Sequence, residues 1–225
     1  MTYSVKEIFY TLQGEGVRAG TPAVFCRFAG CNLWSGDEAA RSRSLCRFCD
    51  TDFVGTDGTG GGKYPEAAAL AQAIAAHWPT DWKGPTDLKG EMQACPWVVL
   101  TGGEPLLQVD QALIEALHQR GFQIAVETNG SLAPPSGIDW LCVSPKAFAP
   151  WVHKQGDELK VVWPQPGWTA ADLVVLETQG QFTHRVLQPL DDAFQTQNEK
   201  QCVALCLARP QWRLSLQTHK HLGLR

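Results

Sequence analysis

A chain of 225 residues, 44% of them hydrophobic, is long enough to bury a substantial core in one domain spanning residues 1–225, and no linker or internal repeat divides it. Its net charge of −4 and pI near 5.8 argue against a broad electrostatic surface for nucleic acid, and it holds no 18-residue apolar run that would span a membrane. The start, Met1 to Glu7, lacks the basic and apolar regions of a secretory signal, so the expectation is a cytoplasmic protein whose eight cysteines stay reduced and available to metal.

From the N-terminus, the first apolar run short enough to be a buried strand is Val24–Phe28. A polar, cysteine-bearing loop follows, and then a glycine-rich stretch, Thr56–Lys63, that reads as surface loop. A helix is predicted over Pro65–Trp78, where Leu70, Ile74 and Trp78 repeat on one face and Pro65 suits the first helical position. Pro79 ends it and opens a second surface loop reaching Cys95. Further strands are predicted at Trp97–Leu100, Gln123–Val126, Trp140–Val143, Leu159–Trp163, Arg185–Leu187 and Arg213–Leu216. Before the last of these, the capping-box pattern Thr196-x-x-Glu199 opens a helix that carries Cys202, Leu205 and Cys206 on one face and stops at Pro210. Those two cysteines, with Cys26, Cys95 and Cys142, are expected to be small core residues.

Strands alternating with helices imply an α/β fold with a parallel sheet whose right-handed crossovers curl it toward a barrel. Nearly every apolar run is followed at once by polar residues: Thr101-Gly-Gly-Glu104, Glu127-Thr-Asn-Gly130, Ser144-Pro-Lys146, Gln188-Pro-Leu-Asp191 and Gln217-Thr-His-Lys220. In a parallel barrel the strand ends open on one face, so these clusters should meet the cysteine loop at a single site.

The cysteine loop carries Cys31, Cys46 and Cys49, one thiolate short of the four that fill a cubane iron-sulfur cluster or a structural zinc site. An open corner lets a small molecule bind iron directly. Cys46-x-x-Cys49 alone also fits a thiol redox pair or half a zinc site, but no second closely spaced Cys/His pair completes the latter. At Thr101-Gly-Gly-Glu104-Pro105 two glycines allow close backbone approach to a ligand, and a carboxylate can bond an ammonium group.

A three-cysteine loop after one strand and a GGEP turn after a later one resemble the radical S-adenosylmethionine superfamily. With Leu12-Gln-Gly-Glu-Gly16, Phe25-Cys-Arg-Phe28, Cys49-Asp-Thr51, Glu127-Thr-Asn-Gly130, Ser144-Pro-Lys146 and the ending His219 to Arg225, the pattern is similar to the 7-carboxy-7-deazaguanine synthase family. That family contracts the ring of 6-carboxy-5,6,7,8-tetrahydropterin, expels ammonia and feeds queuosine and related deazapurine pathways. One departure stands out: fourteen residues, Asn32 to Leu45, separate Cys31 from Cys46, where the superfamily's usual spacing is three. A subset of the synthase family resembles the longer spacing. Asp37, Glu38, Arg41 and Arg43 make the insertion polar, a solvated excursion or a short helix.

The resemblance implies a modified, incomplete parallel (β/α) barrel, a homodimer, a flavodoxin or ferredoxin as reductant, and no direct nucleic-acid or membrane partner. It implies that Cys31, Cys46 and Cys49 hold a [4Fe-4S] cluster whose remaining iron takes the amino and carboxylate groups of S-adenosylmethionine. Around that cofactor it gathers Phe48, Cys49, Asp50, Gly103, Glu104, Ser144, Pro145, Lys146, Gln188, Pro189, Leu190 and Asp191, with Phe48 on the adenine and Gly103 and Glu104 at the methionine end. Leu12, Gln13, Gly14, Glu15, Arg27, Thr101, His219 and Arg225 become the substrate contacts, and Thr51 a magnesium ligand. Arg27 suits either the substrate carboxylate or a buried ion pair. Glu127 and Lys146 are the candidate catalytic groups, Glu127 for the cofactor ribose, for proton movement or as a structural hydrogen-bond partner. Two other classes fit the cysteines: an activase that generates a glycyl radical on a protein, and a zinc-stabilised interaction module.

Overall fold

The computed structural model describes residues 2–79 and 95–225. Its strands are β1 (Tyr3–Leu12), β2 (Pro22–Phe28), β3 (Gly62–Tyr64), β4 (Trp97–Gly102), β5 (Gln123–Thr128), β6 (Trp140–Val143), β7 (Gln155–Trp163), β8 (Gln181–Pro189) and β9 (Arg213–Leu214). Helices α1 (Ala67–Ala75), α2 (Gln111–His118), α3 (Ala170–Gln179), α4 (Gln195–Ala208) and α5 (Thr218–Leu222) lie between or after them. All strands join one sheet in the order β3-β1-β2-β4-β5-β6-β7-β8-β9.

From β2 to β9 every neighbouring pair is parallel, so each predicted strand is present and the expected α/β architecture holds. Among the described residues the ends of the sheet do not pair with each other, as in an incomplete barrel. Parallel strands covered on both faces need near-continuous apolar runs, and Val98, Val99, Leu100, Ile124, Ala125 and Val126 are buried accordingly. On the outer face the main core packs these strands against α1, α2, α3 and α4. On the inner face Ala23, Val99 and Ala125 are small, which leaves room at the sheet's centre. Below them the Arg18 guanidinium lies 3.5 Å from the Trp97 ring centroid and 5.3 Å from that of Trp140, closing the end where β4 and β6 begin.

Several boundaries differ from the sequence expectation. β1 is absent from the predicted strands because Lys6 and Glu7 interrupt its apolar pattern; it runs antiparallel to both β2 and β3. Lys6 is accommodated by Asp57 at 2.8 Å and Asp52 at 3.0 Å. The Thr56–Lys63 loop gives its last two residues to β3. α1 starts two residues after Pro65, with Glu66 as its N-cap, and ends before Trp78. The Thr196 capping box does not form: α4 begins at Gln195 after Phe194, without a side-chain cap. The box sits instead at Thr169 and Asp172, opening α3. Cys26, Cys142 and Cys202 are buried, Cys206 is half-buried at the core's edge, and Cys95 is exposed, contrary to the core role expected of it. The loop predicted over Pro79–Cys95 lies outside the described residues from 80 to 94. The polar insertion holds one 3₁₀ turn, Glu38–Arg43, with no buried residue.

Candidate functional site

A cavity of about 350 Å³ opens at the carboxyl ends of the parallel strands. The loop after β2 supplies Cys31, Cys46, Phe48, Cys49, Asp50 and Thr51 to its wall, while β2 itself supplies Arg27. The end of β1 and the turn beyond it bring Leu12, Gln13, Gly14 and Glu15. Thr101 and Gly103 arrive from β4, Glu127 from β5, Ser144 and Lys146 from beyond β6, and Gln188, Pro189, Leu190 and Asp191 from the end of β8. His219 and Arg225 come from the C-terminal tail.

Two residues expected at the cofactor do not line this space. Glu104 is fully buried, and its carboxylate accepts hydrogen bonds from Leu106 N at 3.0 Å, Thr128 Oγ1 at 2.8 Å and Asn129 N at 2.8 Å. It therefore ties the β4 turn to the end of β5. Pro145 is buried behind the wall, where its carbonyl accepts from Gln165 Nε2. Arg27 lines the cavity while its Nε donates to Glu7 Oε1 at 2.9 Å, so it has the ion pair that was one of its two expected roles. At Gly103 a Cβ would overlap the Gly30 carbonyl, so only glycine lets this turn lie against the cysteine loop.

The cavity floor is a polar network. Lys160 Nζ donates to Glu15 Oε2 at 2.6 Å and to Glu127 Oε2 at 2.9 Å. Gln13 Nε2 donates to Glu127 Oε1 at 2.8 Å, and Gln217 Nε2 to Glu15 Oε1 at 2.9 Å. Burial pushes the Glu15 carboxyl up, but the Lys160 charge and the bonds from Lys160 and Gln217 outweigh it and leave it below its ordinary value. Burial alone would lower Lys160, yet Glu127 and Glu15 hold its ammonium well above the usual range.

The thiols stand on the cavity wall, packed by Leu33, Trp34 and Phe53. The neighbouring Cys49 and the Lys146 ammonium bring the Cys46 thiol down to about 6, while Cys46 and burial send the Cys49 thiol up. Burial raises Cys31. Arg41 of the insertion donates to the Cys49 carbonyl at 3.0 Å and sits 3.9 Å from the Trp34 ring centroid, so the long spacer braces the loop that it interrupts.

No family model matches the chain. Along its full length it is 56% identical over 224 residues to 7-carboxy-7-deazaguanine synthase of Bordetella pertussis, with both chains covered completely. The chain belongs to the 7-carboxy-7-deazaguanine synthase family. A synthase of Caulobacter vibrioides is also 56% identical over 224 residues, and one of Neisseria meningitidis is 30% identical over 236, covering 99% of this chain and 94% of that one. Among solved structures, QueE from Escherichia coli superimposes with a TM-score of 0.69 at 26% identity, covering 97% of this chain and 95% of that chain. Membership of a synthase family makes the chain an enzyme, which sets aside the zinc-stabilised interaction module.

The donor set of this synthase-family chain fits a polynuclear cluster. Among the described residues no three His, Cys, Asp or Glu side chains converge on one metal position. Three thiols on one cavity wall could each take a separate iron of a cluster and leave one iron open to a small molecule. Lys160, Gln217 and Lys220 are among the cavity residues that escaped the sequence reading as site residues. Lys160 lies inside an apolar run, where Glu158 two positions earlier was the available signal: two charges on one face of a buried strand require partners. Gln217 and Lys220 belong to a polar cluster after β9 whose individual roles spacing did not separate. Lys220 binds Asp50 at 2.6 Å and also Asp191, joining the tail to the cysteine loop and to the end of β8. Among the described residues no helix is long and apolar enough to cross a membrane.

Proposed function

We propose that the chain converts 6-carboxy-5,6,7,8-tetrahydropterin to 7-carboxy-7-deazaguanine with loss of ammonia, as a magnesium-dependent radical S-adenosylmethionine enzyme serving queuosine and related deazapurine synthesis. What best supports this reading is the convergence of Cys31, Cys46 and Cys49 with the Thr101–Gly103 turn and the Gln188–Asp191 segment on one cavity. Cys31, Cys46 and Cys49 would hold the [4Fe-4S] cluster, which when bound supplies the electron that breaks a carbon-sulfur bond of S-adenosylmethionine.

The chain's own residues then have to bind, orient and shield. Phe48 offers a ring face to the adenine, and the bare Gly103 backbone admits the methionine end. Ser144, Lys146 and Gln188–Asp191 complete the cofactor wall. Gln13, Gly14, Thr101, His219 and Arg225 take the pterin, with Arg27 positioned for its carboxylate and Glu127 for ribose contact or proton movement. Thr51 offers a hard oxygen to magnesium, which keeps most of its waters. The tail residues His219, Lys220 and Arg225 contribute to the cavity wall, which suits a small ring better than the polypeptide that a glycyl-radical activase must admit. The same proposal makes residues 1–225 a single catalytic domain, working as a cytoplasmic homodimer reduced by a flavodoxin or ferredoxin.

An anaerobic assay with reconstituted cluster, S-adenosylmethionine, magnesium and the carboxytetrahydropterin tests this directly. Product with the mass of 7-carboxy-7-deazaguanine is expected. Cofactor cleavage without that product would overturn the substrate, and no cleavage would overturn the chemistry.

A further inference from the structure

Lys160 is a cavity-floor charge to which the function above gives no task. Its side chain is 6% exposed, and its ammonium stands between two carboxylates that reach it from distant parts of the chain: Glu15 from the turn after β1 and Glu127 from β5. Glu127, Cys142 and Glu158 stand in register across β5, β6 and β7, and Lys160 is two residues beyond Glu158 on the same face. Both carboxylates are fixed by two donors each, since Gln13 and Gln217 hold their other oxygens. A carboxylate has room for about four hydrogen bonds, so each keeps acceptor capacity for a ligand. A single lysine between two carboxylates leaves the floor one negative charge in excess and rich in acceptors.

We propose that Lys160 is a positioning and specificity residue that fixes Glu15 and Glu127 as a paired acceptor for the N–H-bearing edge of an aminopyrimidine ring, a role that rests on the pterin reading above. The edge of such a ring carries adjacent amino and ring N–H donors, which two preorganised carboxylates complement and an unbraced pair would repel each other from meeting. The ligand is therefore selected by its donor-rich edge at the floor, while anionic groups are left to Arg27 on the wall.

The groups facing this cluster are Glu15, Glu127, Cys142 and Glu158 around Lys160, with Asp50 beside Glu15 and Lys146 farther along the wall. Removing the lysine charge should let the Glu15 carboxyl take up a proton at higher pH. The test compares wild type, Lys160→Met, Lys160→Arg and Glu15→Gln as cluster-loaded enzymes. Calorimetry measures affinity for 6-carboxy-5,6,7,8-tetrahydropterin and for S-adenosylmethionine, and carbon-13 NMR follows the Glu15 carboxyl without the pterin.

Lys160→Met is expected to weaken pterin binding at least about tenfold, or about 1.4 kcal/mol, to raise the Glu15 titration, and to weaken cofactor binding by less, since only Glu127 of the pair is shared with the ribose. Lys160→Arg, which keeps the charge, should restore pterin affinity to within about threefold, which a purely structural lysine would not require. Wild-type pterin affinity in Lys160→Met, or an unmoved Glu15 titration, overturns the proposal. If Lys160→Met does not fold, wild-type affinity in Glu15→Gln overturns it equally. A wild-type enzyme that binds no pterin at all would instead bring down the substrate reading, and with it the ligand assigned to this floor, whatever the NMR arm reports about Lys160.

Discussion

Cys31, Cys46 and Cys49 share a chemistry but not a setting, since Cys46 is buried while the other two are half-exposed to the cavity. Replacing any one by Ala is expected to abolish reductive cleavage of S-adenosylmethionine, because each would supply a thiolate to the same cluster, whereas Cys202→Ala in the distant core should retain it. Normal iron content and cleavage in Cys46→Ala would remove the long spacing from the cluster. Glu104 teaches the opposite lesson about a motif residue. Its three donors make it a structural clamp, and an amide at this position would turn a donor toward donors. Glu104→Gln should therefore cost about 1–3 kcal/mol, read from the denaturant midpoint at neutral pH. Burial raises the Glu104 carboxyl above its ordinary 4.5 despite the bonds from Asn129, Leu106 and Thr128. The folded chain thus keeps a proton that the unfolded chain releases. The stability so gained is fully present below 4.5 and is lost as pH rises through the raised value, a slope that Glu104→Gln should lack. A pH–stability curve unchanged by the substitution would contradict this assignment.

At the scale of elements, α5 is too short to hold itself in place, and its position depends on side-chain ties. Thr218 donates through both N and Oγ1 to the Gly14 carbonyl at 2.9 Å, and Lys220 binds Asp50 and Asp191. An exposed pair contributes up to about 1 kcal/mol, so Lys220→Met is expected to speed amide exchange across residues 218–225 by about fivefold and to leave α3 and α4 unaffected. The pH window follows from opposite shifts. Burial works against ionisation of Asp50, but Lys220 and Gln217 prevail and hold it below 3.8. Burial likewise works against the Lys220 charge, which Asp191 and Asp50 raise above 10.5. The Asp50 contribution is present above 3.8 and is lost as pH falls through its lowered value, while the Lys220 contribution is present below 10.5 and is lost as pH rises through its raised value. Equal exchange in wild type and Lys220→Met across neutral pH would show that the tail is held by its backbone bonds alone.

For the molecule as a whole, the magnesium site proposed at Thr51, which offers an oxygen and no thiolate, predicts a loss separable from cluster binding. Chelating magnesium, or replacing Thr51 by Ala, should lower turnover while the visible spectrum of the cluster stays unchanged; turnover insensitive to both would remove the metal from Thr51. The parallel strands β2 and β4–β8 were legible in the sequence because a strand buried on both faces must be nearly continuous in apolar residues, whereas β9, whose two residues are exposed, was read from a short apolar run alone. Their polar caps were legible for a related reason, since in a parallel sheet whatever follows an apolar run emerges on one face, and the motif residues there carried the family resemblance. β1 was not legible, because its Lys6 and Glu7 find partners that local pattern cannot supply. Nor did spacing reveal that Glu104 faces inward or that Lys160 organises the floor. Those facts depend on contacts between residues far apart in the chain, such as Gln13 with Glu127 across 114 positions and Lys160 with Glu15 across 145. The sequence by itself determined which segments could be buried strands and which residue types would stand at their ends. Only the tertiary structure decided which charges meet, because compensation of a buried charge is a property of the neighbour it acquires on folding.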